Sequence, residues 1–277
     1  MAFTAQQRYK IIRNFQLART RKFLGNPDPI QSSVGIETSY YKALRQIVRQ
    51  LTNAVKSQVL PILKQAEPQY VQDSSLEELV NRTLSDIESQ IGDIESTGTR
   101  IAAAMATRGE AFNRARFVAT INKSVGISVA DIVTKDVSLP VIEASVKANV
   151  DLIKTIPPQY LERVQKAVTQ GLQRGDNFFS IRESILEVGQ STNRRAKIIA
   201  RDQVTKLNAA LTENRQQALG ITEYVWRTAS DDRVRPEHED NDGKTFAWSD
   251  PPSTGHPGTE VLCRCVAEPK IDHLFDR

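Results

Sequence analysis

The sequence holds only two cysteines among 277 residues, which excludes a disulfide framework. They stand at 263 and 265, so a bond between them would close a very small, strained ring. Aromatic residues make up 6% and glycines number thirteen. A core built under those limits rests on Leu, Ile, Val and Ala, which favours helix over sheet. No run of about 18 apolar residues occurs, so no segment reads as a membrane span. The amino-terminal stretch is interrupted by Arg13 and carries no small-residue cleavage site, so it does not read as a secretory leader, and the protein is expected to be made and kept in the cytoplasm. The first half of the chain offers neither a nucleophile paired with a base nor a glycine-rich phosphate loop. Charge of one sign is also scarce: 37 Lys and Arg against 33 Asp and Glu leave +4, too little to argue for nucleic-acid binding by net charge.

The distribution of charge says more. Residues 1–27 contain no acid, while Arg8, Lys10, Arg13, Arg19, Arg21 and Lys22 are basic and Phe3, Tyr9, Phe15 and Phe23 lie among them. This is a basic, aromatic-studded arm, suited to DNA phosphates or to an acidic protein surface. The prolines of Asn26-Pro27-Asp28-Pro29 then stop any helix.

Helical periodicity dominates the chain beyond these prolines. Leu44, Ile47, Val48, Leu51, Val55 and Val59 predict an amphipathic helix over residues 38–65, which Pro61 should kink or end. Ser75 and Glu78 have capping-box spacing before an apolar face of Leu76, Leu79, Val80, Leu84, Ile87, Ile91 and Ile94. A third helix is expected over 99–122, with Arg108, Arg114 and Arg116 on a solvated side. Residues 123–140, rich in β-branched side chains, fit a loop, a short strand or a helix connection. Helices are predicted over 141–155, from Pro157-Pro158 to Gly175, from Ser180 with Glu183 as its cap, and over 192–219 before Gly220. The period then changes to the alternation of a strand in Glu223-Tyr224-Val225-Trp226-Arg227-Thr228, and the remainder is dense in turn residues. The fold class is therefore mainly α-helical, a helical N-terminal part followed by an α+β C-terminal domain with short strands and irregular, turn-rich loops. The expected division is an arm at 1–27, a helical domain at 28–148 and a C-terminal domain at 149–277.

The C-terminal part concentrates the residues that carry chemistry. Two histidines and two cysteines make a complete tetrahedral zinc set, and His238 and His256 stand in turn-rich segments able to converge on Cys263 and Cys265. The alternative is that the thiols are small buried groups and the histidines lie at the surface. The two cysteines of a regular strand would face opposite ways, so shared ligation requires the chain to turn there. Asp231, Asp232, Glu237, Glu239, Asp240 and Asp242 could serve a metal-dependent hydrolase or be a solvated turn, and Arg233 and Arg235 fit ion pairs that fix the loop.

The pieces Ile199-Ala200-Arg201-Asp202-Gln203-Val204-Thr205-Lys206-Leu207-Asn208, Tyr224-Val225-Trp226-Arg227-Thr228, Asp231-Asp232-Arg233-Val234-Arg235-Pro236-Glu237-His238, Asp242-Gly243 and Cys263-Arg264-Cys265, in this order, resemble the Mu F-like head morphogenesis family of tailed bacteriophages over residues 149–269. The resemblance assigns the family's helix arginine to Arg201, its strand tryptophan to Trp226, its turn to Asp232, Arg233 and Arg235 with Gly243 beyond, and its histidine to His238. Gln203 departs from the acidic residue common in the family, and His256 is further from Cys263 than the family's histidine usually is. The resemblance implies a minor head protein, not an enzyme. Such a protein associates with the portal inside the virion head, supports head assembly, DNA packaging and DNA ejection, and is assembled in the host cytoplasm. Its partners would be the portal protein, other head proteins and packaged double-stranded DNA, with no membrane. The competing readings are a metal-dependent nuclease or toxin-like effector, against which the stretch after Cys265 is expected to be too short for an effector domain, and a DNA-binding protein without sequence specificity that relies on the arm.

Overall fold

The computed structural model describes residues 25–67, 74–126 and 128–271. The arm residues Arg8, Lys10, Arg13, Arg19, Arg21 and Lys22 lie outside this range. Helix α1 spans Val34–Ala66, so Pro61 neither ends it nor shortens it. The apolar stripe explains why: Val55, Val59 and Leu63 are fully buried on both sides of the proline, while Pro61 itself is exposed. The carbonyl that it leaves unbonded therefore belongs to the solvent side. Helix α2 covers Ser74–Gln90, burying Leu76, Val80, Leu84 and Ile87. Leu79 is 48% exposed, off the face assigned to it. The expected continuation to Ile94 is broken at Gly92-Asp93, where the Asp93 carboxylate accepts the Ser96 N–H at 2.9 Å and starts α3, Ile94–Val125.

Residues 128–138 are turns closing in a 3-10 turn, Lys135–Ser138, and bury Val129, Ile132 and Val133. Helix α4 runs Leu139–Lys154. Helix α5, Ile156–Arg174, has prolines in its first turn and Gly175 as a left-handed C-cap at φ 71°, both as the sequence predicts. The two helices expected beyond Gly175 are one, α6, Phe178–Ala218, of 41 residues. Asn177, not Ser180, caps it, accepting the Ser180 N–H at 3.0 Å. No proline interrupts the run, and a capping-box spacing inside a continuous apolar stripe is overruled by that stripe.

Strand β1 is Glu223–Arg227, followed by a single helical turn α7, Pro236–Glu239, then β2, Thr245–Ala247, and β3, Val266–Pro269. The sheet has the order β2-β1-β3 and is antiparallel, with Tyr224 opposite Phe246 and Trp226 opposite Ala267.

The chain divides into two compact units, and a boundary near Asn149 does not separate them. One unit takes the residues up to Glu37, Ala103–Val146 and the residues from Arg201 onward; the other takes Thr38–Ala102 and Lys147–Ala200. The physical reason is the length of α3 and α6, which at 32 and 41 residues each supply apolar stripe to both units. In the second unit α2 packs on α5, with the Thr169 hydroxyl donating to Glu77 at 2.6 Å. There Gly171 also lets α5 approach α6 so closely that a Cβ would lie 2.6 Å from Ile181. The first unit is built on Phe117, Ile121 and Val125 of α3 with Ile30, Leu219, Ile221 and Ile271, and it contains the sheet.

Candidate functional site

Alternation along β1 places Tyr224 and Trp226 on one face. That face is closed over by Trp248, Phe246, Ala267 and both cysteines in one buried cluster. In a chain so poor in aromatics, concentrating two tryptophans and a tyrosine here gives the small sheet an apolar area that its twelve strand residues would otherwise lack.

Onto this platform the turn α7 delivers His238, which is 2% exposed. Its ring meets Trp226 edge-on, 5.3 Å between centroids. Its Nδ1 lies 3.5 Å from Cys263 Sγ and 3.6 Å from Cys265 Sγ, and the three ligand atoms are all within 4.8 Å of one another. Among the described residues no carboxylate joins this group. Its other nitrogen, Nε2, is 3.1 Å from Glu260 Oε2, though off the direction of a hydrogen bond.

Two cysteines separated by one residue face the same way because the chain turns before them. Cys263 N–H donates to Glu260 O at 3.1 Å, and Leu262 sits in the left-handed region at φ 59°, an unfavourable conformation for a leucine by about 1–2 kcal/mol. Asp202, buried on α6, holds that turn by accepting the Leu262 N–H at 2.8 Å. Replacing Asp202 with Ala is therefore expected to cost about 1.5–3 kcal/mol, the range for a hydrogen bond to a charged acceptor. Asp202→Asn, which keeps an oxygen, should lose less. Equal unfolding midpoints for Asp202→Ala and the parent would show that the turn stands without it.

Gly258 closes the other side. Its N–H donates to Cys263 Sγ at 3.3 Å, its φ is +84°, and a Cβ there would lie 2.7 Å from Ala209 Cβ. Both conformation and space require glycine. Gly258→Ala should destabilise the protein by roughly 3 kcal/mol, from left-handed strain plus overpacking; a thermal melt unchanged by that substitution would contradict this account.

The closeness of the two thiols pulls Cys263 below the usual thiol range and pushes Cys265 above it. The Trp226 indole N–H, which has no ordinary hydrogen-bond partner, lies beside the Cys265 sulfur.

Arg264, between the cysteines, turns outward to a two-pronged pair with Asp231, which also takes Arg233 at 3.1 Å. These arginines hold the Asp231 carboxyl well below the ordinary range, the Arg264 hydrogen bonds first among the causes. Arg235 pairs with Glu260 at 3.0 Å and donates to Val261 O at 2.9 Å. Asp242 accepts the Thr228 N–H at 2.8 Å. Asp232 is exposed, and Gly243 takes φ +75° at the end of the turn.

His256 stands apart from the cluster. Its Nδ1 is bonded to the Tyr224 hydroxyl at 2.9 Å, and its ring packs on Trp248 at 4.9 Å. Of the four ligands expected from the sequence, the structure therefore brings together His238, Cys263 and Cys265 and leaves out His256, whose Nδ1 is taken up by the Tyr224 hydroxyl and whose ring packs on Trp248. Asp202, Gly258 and Glu260, which shape the site, are not marked by their residue type or spacing. Gln216 is a fourth such residue: fully buried, it bridges Ala267 O and the Trp248 indole N–H.

Residues 162–268 match the family described as Phage Mu protein F like protein. Over 270 residues the chain is 34% identical to an uncharacterised protein of Haemophilus influenzae, an alignment that takes in 95% of this chain and 58% of that protein. The chain thus spans a little over half the length of the curated relative it matches. No solved structure matches the chain. The matched stretch begins within α5, contains all of α6, and ends in β3 one residue short of the strand's last position. It includes Arg201, Trp226, His238 and both cysteines, and residues 162–268 are thereby a segment of the Phage Mu F-like family.

Proposed function

We propose that this protein is a structural component of a tailed-phage head, a minor head protein that lies inside the virion near the portal vertex and supports head assembly, DNA packaging and DNA ejection. The observation that carries this reading is the match of residues 162–268 to the Mu F-like family, a stretch that holds the whole sheet but for its last residue and every member of the His238 cluster. Its partners on this reading are the portal protein and other head proteins. Packaged double-stranded DNA is met through the phosphate-seeking arm, and assembly takes place in the host cytoplasm without a membrane step. No described helix is long and apolar enough to cross a membrane.

The role proposed is not enzymatic. The acidic turn supports this, since Asp231 and Asp242 are engaged by Arg264, Arg233 and the Thr228 N–H as members of an ion-paired loop. The test is a phage lacking the gene. Its heads should be fewer or incompletely filled, and antibody against the protein should label the portal end of complete heads after they are opened. Normally filled, infectious heads formed without the protein would overturn the proposal. So would plasmid cleavage by the purified protein with Mg²⁺ or Zn²⁺ that is lost in His238→Ala, which would install the nuclease reading instead.

A further inference from the structure

We infer that His238 Nδ1 and the sulfurs of Cys263 and Cys265 bind one zinc ion whose fourth ligand is an exchangeable anion or water, taken from an arginine-lined cavity beside the cluster. The geometry carries the first half. With zinc–sulfur bonds of about 2.3 Å, zinc–nitrogen bonds of about 2.0–2.1 Å and tetrahedral angles, the sulfur-to-nitrogen edges of such a site are about 3.6 Å. The two observed edges are 3.5 Å and 3.6 Å. All three ligand atoms lie within 4.8 Å of one another, close enough for one ion to reach each of them.

The donor set, two thiolates and one imidazole, suits zinc over the hard cations. The surroundings are those that tune such ligands. The Gly258 N–H points at Cys263 Sγ, the Trp226 indole lies by Cys265, and the Glu260 carboxylate stands 3.1 Å from the far nitrogen of His238.

The second half rests on what adjoins the cluster. A cavity of about 200 Å³ is lined by the three ligands together with Arg201, Arg233, Arg235 and Arg264. Three protein ligands leave one tetrahedral position unfilled by the chain, and the cavity gives an external ligand a place to stand. Arg233, Arg235 and Arg264 are committed to Asp231 and Glu260. Arg201, half-buried on α6, has no ion pair or hydrogen bond among the described residues. Its uncommitted charge would favour an anionic fourth ligand.

Protein made with zinc in the medium should carry about one zinc per chain by elemental analysis. Cys263→Ser, Cys265→Ser and His238→Ala should each lose it. Because a ligand variant can fail to fold, the parent chain supplies the deciding measurement. Its cobalt-substituted form should show thiolate-to-cobalt charge transfer and tetrahedral d–d bands, and those bands should shift on titration with acetate or inorganic phosphate. In Arg201→Ala the anion concentration at half-shift should rise about tenfold with cobalt still bound. Parent protein without stoichiometric metal, or with another metal in its place, overturns the assignment. Cobalt bands that ignore every added anion overturn the exchangeable position.

Discussion

Glu110→Ala is expected to destabilise the protein by about 3–5 kcal/mol, the range for removing one partner of a buried ion pair. Glu110 of α3 is 2% exposed and Arg215 of α6 is fully buried. Arg215 donates to Glu110 at 2.9 Å and also to Asn113, and Glu110 takes Arg114 at 3.0 Å as well. Asn113 in turn donates to Asn208 Oδ1 and to Thr212 Oγ1, each at 2.9 Å, and Asn208 donates to Ile30 O at 2.7 Å. Burial already draws the Arg215 guanidinium down to about 10, yet it stays charged at neutral pH. Once Glu110 is gone, that charge keeps only a neutral amide for company.

A midpoint of thermal unfolding lower by on the order of 10 °C is expected for Glu110→Ala. The companion variant separates the worth of the pair from the cost of orphaning a charge. Glu110→Leu combined with Arg215→Met should lie close to the parent, because apolar residues of similar volume replace a buried pair with little loss. If the single and double variants melt together, the penalty lies in something other than the unpaired guanidinium.

How far the sequence reveals this molecule depends on the range of the forces involved. Where a local rule decides, the sequence suffices. Pro157-Pro158 and Gly175 mark the ends of α5 because first-turn prolines and a left-handed cap are properties of a few neighbouring residues. The alternation around Trp226 marks β1 for the same reason. Local rules fail where the packing stripe outweighs them. Ser180 and Glu183 have the spacing of a cap but sit within α6, and Pro61 lies within α1 on its solvent side. The interleaving of the two compact units is equally hidden, since nothing in the composition of α3 or α6 marks where one unit's share of the stripe passes to the other.

The candidate site divides along the same line. His238 and the two cysteines are legible as rare residue types grouped in a turn-rich tail. His256 has the same signal, and only the fold shows that Tyr224 and Trp248 hold it. Asp202 acts on Leu262 across a separation of 60 residues. Gly258 is required by Ala209, a residue of a distant helix turn. No spacing rule reaches that far. The arginines of α3 read as a solvated side, and Arg108, Arg114 and Arg116 are all exposed; Arg114 also shares Glu110 with the buried Arg215, and Arg116 lies over the Phe112 ring at 5.6 Å.

Trp226→Ala should have an effect as large as the loss of Glu110 and a wider reach. Trp226 is fully buried, and truncating a buried tryptophan costs about 3–5 kcal/mol through lost transfer energy and the cavity left behind. That cavity would open under His238, whose ring meets the indole at 5.3 Å, and beside Phe246, at 6.2 Å. Three elements lean on this one side chain: the turn α7, strand β2 through Phe246, and the segment bearing Cys265. Trp226→Phe keeps an aromatic wall for His238 and should lose less, about 1–2 kcal/mol for the missing volume. The two substitutions also leave Trp248 as the sole tryptophan, so its fluorescence reports the sheet directly. In the parent, Cys263 and Cys265 are 4% and 3% exposed and should react slowly with a thiol reagent. In Trp226→Ala both should react at a rate set by local opening, faster by the same factor as the loss in stability of the sheet. A denaturation midpoint and a thiol reaction rate both unchanged in Trp226→Ala would show that the cluster is held from elsewhere, and the indole would then be a passenger on β1 and not the piece on which His238 and the cysteines rest.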